Sequence, residues 1–428
     1  MDQAAIGWLQ GLVIAVIVTR LLAFLGLERL NGNHVRRHAH ALPEAFTGVM
    51  DLATYQRSVA YTLARTRLAQ VEAAWEAAVL LLVLFSGVLP AAWTAFTGAF
   101  GPGAWSGAAF LFLAATALSL SSLPLDWHAQ FRLEARFGFN TTTPGLWWMD
   151  RLKGLLIGAV LVIPLVWVLL RLVGWMGASW WFWGWAVVVL FQLLMAFVAP
   201  VWLLPLFNKF TPLPEGTLRD RLLALAQRTG FQARSIEVMD GSRRSRHSNA
   251  FFTGLGRFRK IVLFDTLVEQ LEEPQLEAVL AHEIGHFRLR HVPKMLAVAS
   301  VQMLAGFWVL AWLAGRDWFY AAFGLPADSL AAAFLLFTLL SGPALFWLTP
   351  LFNRWSRRHE FEADAFAVRA MGGAASLAGA LRRLSTKNLS NLTPHPLYSR
   401  FHYSHPTLLE REAAMQRAEA ALPTETRA

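Results

Sequence analysis

Two histidines and a glutamate lie within about one helical turn in the sequence Leu280-Ala281-His282-Glu283-Ile284-Gly285-His286. Residues four apart on a helix share one face, so the imidazoles of His282 and His286 can bind one Zn²⁺. Glu283, between them, can act as the general base of a hydrolase. The spacing therefore predicts a metal-dependent hydrolytic site, provided that a third ligand comes from elsewhere in the chain.

The best candidate for that third ligand is Glu360, in the segment Arg357-Arg358-His359-Glu360-Phe361-Glu362-Ala363-Asp364. The chain has no cysteine, so a catalytic zinc site with three protein ligands needs a histidine or a carboxylate here. Asp364 lies one turn after Glu360 on the same face and can accept the outer N–H of a ligand imidazole. Glu362 points elsewhere on such a helix and is the weaker ligand candidate.

The two halves of this site lie at matching distances from a pair of apolar segments. His286 precedes the segment 295–315, and Glu360 follows the segment 329–352. If the helices continue straight at ~1.5 Å per residue, both residues lie roughly 12–14 Å beyond the membrane boundary. Two consecutive spans return the chain to the same side, so we expect the two half-sites at one depth.

The chemistry expected of such a site is hydrolysis of a peptide bond without a covalent intermediate. Zinc lowers the pKa of water toward ~7 and polarises the scissile carbonyl. Glu283 is expected to take the proton of the water and to deliver it to the leaving amine.

The remainder of the chain has the composition of an integral membrane protein. Its 428 residues are 56% hydrophobic, with a mean hydropathy of +0.42. Only 15% are charged, against about 25% in ordinary soluble domains. Seven segments approach the ~20 residues that cross a bilayer core. They are 5–27, 77–98, 104–124, 155–174, 180–204, 295–315 and 329–352, and Phe100-Gly101-Pro102-Gly103 separates the second from the third.

The basic residues predict an orientation. The three short linkers on one side are 99–103, 175–179 and 316–328, and Arg316 is their only arginine or lysine. The segments 28–76 and 125–154, on the other side, are both rich in arginine. The positive-inside rule then puts the N-terminus outside and the C-terminus inside. The segments 205–294 and 353–428 both fall inside, so the catalytic face is expected to be cytosolic.

The net charge of +10 could indicate nucleic-acid binding. Here, however, the basic residues concentrate on the inner side of a membrane protein, where they set topology and face anionic lipid. We therefore expect membrane lipid, and no nucleic acid, among the partners. The absence of cysteine also excludes disulfides, thiolate metal ligands and a cysteine nucleophile. The oligomeric state is not predicted.

These patterns divide the chain into four parts. They are 1–204 with five spans, 205–294 as a catalytic insert with the two histidines, 295–352 with two spans, and 353–428 with the third ligand. Within the insert we predict a helix at 215–230, strands at 235–239, 249–253 and 260–264, and a helix from Glu273 through His286 toward the sixth span. His291 and His359, which flank the site, are predicted to be exposed.

Further motifs extend beyond the metal site, in a consistent order over about residues 50–415. They are Phe137-Gly138-Phe139-Asn140, Leu206-Phe207-Asn208-Lys209-Phe210-Thr211-Pro212-Leu213, Ser248-Asn249-Ala250-Phe251-Phe252-Thr253-Gly254-Leu255-Gly256, Ile261-Val262-Leu263-Phe264-Asp265-Thr266-Leu267, and His402-Tyr403-Ser404-His405-Pro406 with Arg411. Together with the metal motif they resemble the integral-membrane CAAX prenyl protease 1 family, zinc metalloproteases with seven membrane spans.

The resemblance implies a predominantly α fold, in which a seven-transmembrane helix barrel encloses a chamber below a cytosolic-side α+β gluzincin-like zinc protease domain. It implies one Zn²⁺ per chain and a peptide or protein substrate that carries a prenylated C-terminal CAAX segment. Asn249, Ala250 and Phe251 would pair with the substrate as an added strand. His405 and Arg411 would stabilise the oxyanion.

Other functions fit parts of the sequence less well. A metal-ion transporter would need ligands inside the spans, and a non-catalytic scaffold would not need Glu283. The chain has 33 arginines against 5 lysines, which indicates a GC-rich genome and favours a bacterial inner membrane over the endoplasmic reticulum membrane of a eukaryote. In a bacterium, a membrane-protein quality-control protease without a prenyl requirement is the alternative.

Overall fold

Long apolar helices make up most of the molecule. The computed structural model describes residues 3–48, 50–232, 234–253, 260–327 and 329–423. Among these residues, six helical stretches are long and apolar enough to cross a membrane: Gln3–His38, Leu52–Phe85, Ala104–Ser121, Pro144–Phe207, His291–Ala314 and Leu330–Met371. In five of the six, only 11–17% of the most apolar stretch is buried within the protein, as expected of helices whose outer faces contact lipid.

The stretch Pro144–Phe207 supplies two membrane crossings. It has 64 residues, and at ~1.5 Å per residue it is far longer than the ~30 Å core of a bilayer. Gly177, with φ of +53°, interrupts it, and the two helices on either side contact each other. The described part of the chain thus provides seven crossings.

The described residues before 208 form nine α-helices. They are α1 (Gln3–His38), α2 (Leu52–Phe85), α3 (Val88–Phe100), α4 (Ala104–Ser121), α5 (Leu123–His128), α6 (Ala135–Phe137), α7 (Pro144–Met176), α8 (Trp180–Val198) and α9 (Leu204–Phe207). π-Helical turns at Ala129–Glu134 and Ala199–Leu203 join α5 to α6 and α8 to α9.

The predicted span 77–98 is wrong. α2 starts at Leu52, where the Asp51 carboxylate caps the backbone N–H of Thr54, and runs on as one helix to Phe85. It ends because Gly87 takes a left-handed conformation with φ of +81°, which a glycine adopts without strain. α3 is then a separate, shorter apolar helix, and the predicted break at 100–103 lies between α3 and α4.

The described residues of the insert 205–294 form a four-stranded sheet and three α-helices. Its elements are β1 (Phe210–Pro212), α10 (Thr217–Arg228), β2 (Ser235–Met239), β3 (Ala250–Thr253), β4 (Lys260–Phe264), α11 (Asp265–Gln270) and α12 (Glu273–Arg288). The strand order is β1-β2-β4-β3, with β2 parallel to β4 and the other neighbours antiparallel. β3 is therefore an edge strand. The connection predicted at 254–256 lies outside the described residues.

The last part of the chain is helical. Its elements are α13 (His291–Ala314), α14 (Asp317–Ala321), α15 (Leu330–Leu345), α16 (Thr349–Met371), α17 (Ala375–Lys387), α18 (Pro396–His402) and α19 (Leu408–Ala420). Only a 3₁₀ turn at Phe346–Leu348 separates α15 from α16. The last span therefore leads almost directly into the segment that contains Glu360.

The expected continuous helix through the metal motif into the sixth span is also wrong. α12 ends at Arg288, and α13 begins at His291. Between them Arg290 adopts a left-handed conformation with φ of +56°, which costs a non-glycine residue roughly 1 kcal/mol or more. The chain changes direction at this point, immediately after the two histidines of the motif.

α12 packs directly against α16 where a glycine lies at the contact. A Cβ on Gly285 would lie 3.1 Å from the Cα of Ala363, 3.2 Å from its carbonyl oxygen and 3.2 Å from the Cβ of Phe366. Ala363 is itself fully buried. Because the nearest atoms belong to the α16 backbone, only glycine permits this separation of the two helices. The surrounding core includes Ile284 and Ala367.

We predict that Gly285→Val lowers the free energy of unfolding by about 1–3 kcal/mol, because the added side chain overpacks the contact with α16. Thermal unfolding of the purified protein in detergent measures the change. Gly154→Ala is the matched control, since a Cβ on Gly154, inside α7, meets nothing within 4 Å. An unfolding temperature of Gly285→Val equal to that of the control would contradict the close contact.

Candidate metal centre

α12 presents both histidines of the motif on one face. The helix begins with a capping box, in which the Glu272 side chain accepts from the third residue of the helix while Gln275 accepts from the Glu272 backbone N–H. His282 and His286 follow within the same helix, about one turn apart. The Nε2 atoms of His282 and His286 lie 3.1 Å apart, and His282 is buried.

Glu360 reaches the same point from α16. Its Oε1 lies 3.3 Å from the Nε2 of His286, and its Oε2 lies 3.5 Å from the Nε2 of His282. The carboxylate is buried. The close contact at Gly285 accounts for this meeting, because it brings the backbones of the two helices together next to the ligand side chains.

These three side chains fit a bound metal ion. Ligand atoms ~2.0–2.2 Å from a tetrahedral Zn²⁺ are separated from one another by roughly 3.3 Å, close to the 3.1, 3.3 and 3.5 Å found between His282, His286 and Glu360. Glu360 is also a buried carboxylate, and a carboxylate oxygen is a common zinc ligand beside histidine. Three protein ligands also leave a coordination position open.

Asp364 orients one of the two imidazoles. Its Oδ1 lies 2.8 Å from the Nδ1 of His282, on the side of the ring that faces away from Glu360. Arg411 holds Asp364 in turn through two hydrogen bonds of 2.6 and 2.8 Å to its two oxygens. Burial alone would lower the pKa of His282, but the hydrogen bonds to Asp364 and Glu360 outweigh it and raise the pKa to about 9.

Glu283 is half-buried beside the ligands. Burial raises the pKa of its carboxyl group, and the positive charges nearby oppose this effect only in part. A raised pKa brings a carboxylate closer to the working pH, where a general base exchanges protons most efficiently. The environment of Glu283 thus suits the role that the sequence suggests for it.

His405 and Arg411 both lie next to the ligand set. His405 Nδ1 is 2.8 Å from Glu360 Oε2, and its side chain remains 65% exposed at the edge of a cavity of about 440 Å³. Arg411 makes its main contacts with Asp364, and its Nη1 lies 3.7 Å from Glu360 Oε2. The structure therefore gives Arg411 a positioning contact in addition to the oxyanion role expected from the sequence.

Asn249, Ala250 and Phe251 lie at the free edge of the sheet. Ala250 and Phe251 pair with Leu263 and Val262 of β4, and within the described part of the chain no strand pairs with their other side. Asn249, just before the strand, is exposed, and its side-chain oxygen accepts from the backbone N–H of Ala250 at 2.8 Å. β3 also contacts α12, so the strand lies beside the helix with the metal motif.

The predicted exposure of His291 and His359 is wrong, since both side chains are buried. On a straight helix His291 would have pointed away from His286, because five residues correspond to about 140° of rotation from its face. The change of direction at Arg290 places the two rings in contact instead, with their Nδ1 atoms 3.0 Å apart. No pattern of apolar spacing in the sequence signals such a break.

Comparison with known proteins agrees with this geometry. Residues 31–209 match the family model described as CAAX prenyl protease N-terminal, five membrane helices. Residues 212–419 match Peptidase family M48. The chain is 37% identical to CAAX prenyl protease 1 of Saccharomyces cerevisiae, over 72% of this chain and 71% of that protein.

Two further matches cover more of the chain. The CAAX prenyl protease 1 homolog of Homo sapiens is 30% identical over 88% of each protein. The crystal structure of S. mikatae Ste24p superposes with a TM-score of 0.88 and 31% sequence identity, covering 95% of this chain and 98% of that one. The chain therefore belongs to the CAAX prenyl protease 1 family of membrane-embedded metalloproteases, within peptidase family M48.

Proposed function

We propose that this protein is a zinc endopeptidase that cleaves prenylated C-terminal CAAX segments at the inner face of a membrane. The observation that carries the proposal is the meeting of two imidazoles and one buried carboxylate at separations of 3.1–3.5 Å, with Glu283 adjacent to the first imidazole. The relatives named CAAX prenyl protease 1 supply the substrate class.

His282, His286 and Glu360 would hold the metal. Their nitrogen and oxygen atoms, with no cysteine in the chain, suit Zn²⁺. Zinc bound there supplies a Lewis acid that lowers the pKa of water and polarises a carbonyl group.

Four other side chains have roles in the proposed hydrolysis. The Glu283 carboxylate takes a proton from the attacking water and returns it to the leaving amine, so that the peptide bond is replaced by a carboxylate and an amine. His405 and the guanidinium of Arg411 supply N–H donors for the negative charge that develops on the carbonyl oxygen. Asp364 keeps the ring of His282 in place.

The substrate would bind in an extended conformation along β3. An edge strand has unpaired backbone groups, so an added peptide strand gains main-chain hydrogen bonds that do not depend on its side chains. Asn249, Ala250 and Phe251 line this edge beside α12. Such backbone recognition leaves the choice of substrate to the lipid and to the C-terminal residues.

The catalytic face would lie on the cytosolic side of a bacterial inner membrane. Arginine and lysine concentrate in the segments that share a side with the insert 205–294, as the positive-inside rule requires. Prenylated substrates, anchored in the same leaflet by their isoprenoid, would reach the site from the membrane.

We expect Glu283→Gln to reduce kcat by about 10²–10⁴-fold, because an amide cannot take the proton of the attacking water. Zinc content should stay at one ion per chain, since Glu283 is not among the ligands. Peptide hydrolysis and elemental analysis of the purified protein measure the two quantities. Undiminished cleavage by this variant would remove Glu283 from the mechanism.

The pH profile should show the raised pKa of Glu283. The base must be ionised, so kcat/KM should fall as the pH drops through that pKa, with a midpoint above the ordinary value of 4.5 for a glutamate. Zinc content measured at each pH controls for loss of metal. A midpoint at or below 4.5, with zinc retained, would contradict the effect of burial.

Matched peptides with and without an isoprenoid on the CAAX cysteine test the substrate class. We expect a higher kcat/KM for the prenylated peptide, because the lipid concentrates it at the membrane and adds apolar contacts. Equal values for the two peptides would instead support a quality-control protease that clears membrane proteins without a prenyl requirement.

A further inference from the structure

The two ligand imidazoles have different partners on their outer nitrogens. His282 meets a carboxylate directly, whereas His286 meets a second imidazole, with its Nδ1 3.0 Å from the Nδ1 of His291. The other nitrogen of His291, Nε2, lies 3.1 Å from Glu362 Oε2. The second oxygen of Glu362 accepts from Arg358 Nε at 2.9 Å.

This chain of contacts allows only one arrangement of hydrogens when His286 binds a metal through Nε2. His286 Nδ1 must then carry the hydrogen and donate it, so the Nδ1 of His291 must accept. His291 therefore carries its own hydrogen on Nε2, where the Glu362 carboxylate accepts it. Each nitrogen in the series has a partner of the correct kind.

The ring of His291 is held firmly in this position. Its side chain is 1% exposed and stacks on His359, with ring centroids 4.1 Å apart and planes inclined by 9°. The left-handed residue Arg290, immediately before it, sets the direction in which the chain enters α13. A strained backbone residue next to a buried polar ring indicates a position that the surrounding structure maintains.

We propose that His291 and Glu362 are positioning residues for the metal ligand His286. Hydrogen bonding from His286 through His291 to Glu362 fixes the ring orientation and makes Nε2 a stronger donor to the metal, as Asp364 does for His282. The inference rests on the metal site of the proposed function, and it assigns a role to two residues outside the ligand set.

The geometry argues against a second metal ion at this place. His291, His359 and Glu362 do bring potential ligand atoms within 4.8 Å of one another. Both nitrogens of His291 are already engaged, however. In addition, the lone pairs of two stacked imidazoles lie in separate, nearly parallel planes, so one ion cannot lie in the plane of both rings.

Substitutions of His291 separate positioning from packing. His291→Leu removes the acceptor for His286, whereas His291→Asn retains a side-chain oxygen near the position of Nδ1. His359→Phe is the matched control, because it keeps a flat ring stacked on His291 and leaves both nitrogens of His291 with their partners. The full-length protein in detergent is loaded with Zn²⁺, and loss of zinc to a chelator is followed over time.

We expect His291→Leu to weaken zinc binding by about 10–100-fold, with His291→Asn and His359→Phe close to the native protein. The absorption bands of the Co²⁺-loaded protein should shift in His291→Leu and stay unchanged in His359→Phe. Equal zinc retention in the native protein and all three variants would contradict the positioning role of His291, and it would leave the proposed metal site intact. A native protein without bound zinc would overturn the proposed metal site, and two zinc ions per native chain would overturn the inference in favour of a second site.

Glu362 provides a second test that does not disturb the core, since its side chain is 35% exposed. Glu362→Gln keeps an oxygen that accepts from His291 Nε2, and Glu362→Leu does not. We expect zinc to dissociate faster from Glu362→Leu than from Glu362→Gln. Equal dissociation from both variants would contradict the proposal even if His291→Leu fails to fold.

Discussion

The close contact between α12 and α16 is the constraint on which the rest of the site depends. Gly285 lies one residue before His286, and Ala363 lies between Glu360 and Asp364, so this close approach of the two helices lies beside the proposed metal ligands. The absence of a side chain at Gly285 lets the two helices meet at a distance that the ligand atoms can bridge. The residues that pack α12 against α16 are thus direct neighbours in sequence of the residues proposed to bind the metal.

A concentration of buried charge is the second feature of this site. Isolated buried ions are costly, and they persist in proteins when they are paired and hydrogen-bonded. Asp364 is paired with both His282 and Arg411, and Arg411 also approaches Glu360. The polar residues of α12, α16 and α19 therefore form one connected network around the ligands. Losing one member leaves its partners uncompensated, which makes the network cooperative.

The break at Arg290 shows how the membrane helices and the catalytic insert are joined. A straight continuation of α12 would have carried the metal motif into the sixth span on a single axis. Instead α13 starts in a new direction, and its first residue, His291, returns to the outer side of His286. The same short linker thus connects two structural parts and places His291 beside the proposed ligand His286.

The sequence by itself determined the chemistry and the class of the protein. The spacing of His282, Glu283 and His286 follows from helical geometry, and charge-poor segments mark membrane helices because charges are expensive in a bilayer. Local rules of this kind also single out Glu360 and Asp364, one turn apart. The tertiary structure alone decided the division between α2 and α3, the direction change at 290 and the burial of the two additional histidines. These features depend on backbone conformation at single residues and on contacts between distant helices, neither of which leaves a periodic pattern in the sequence.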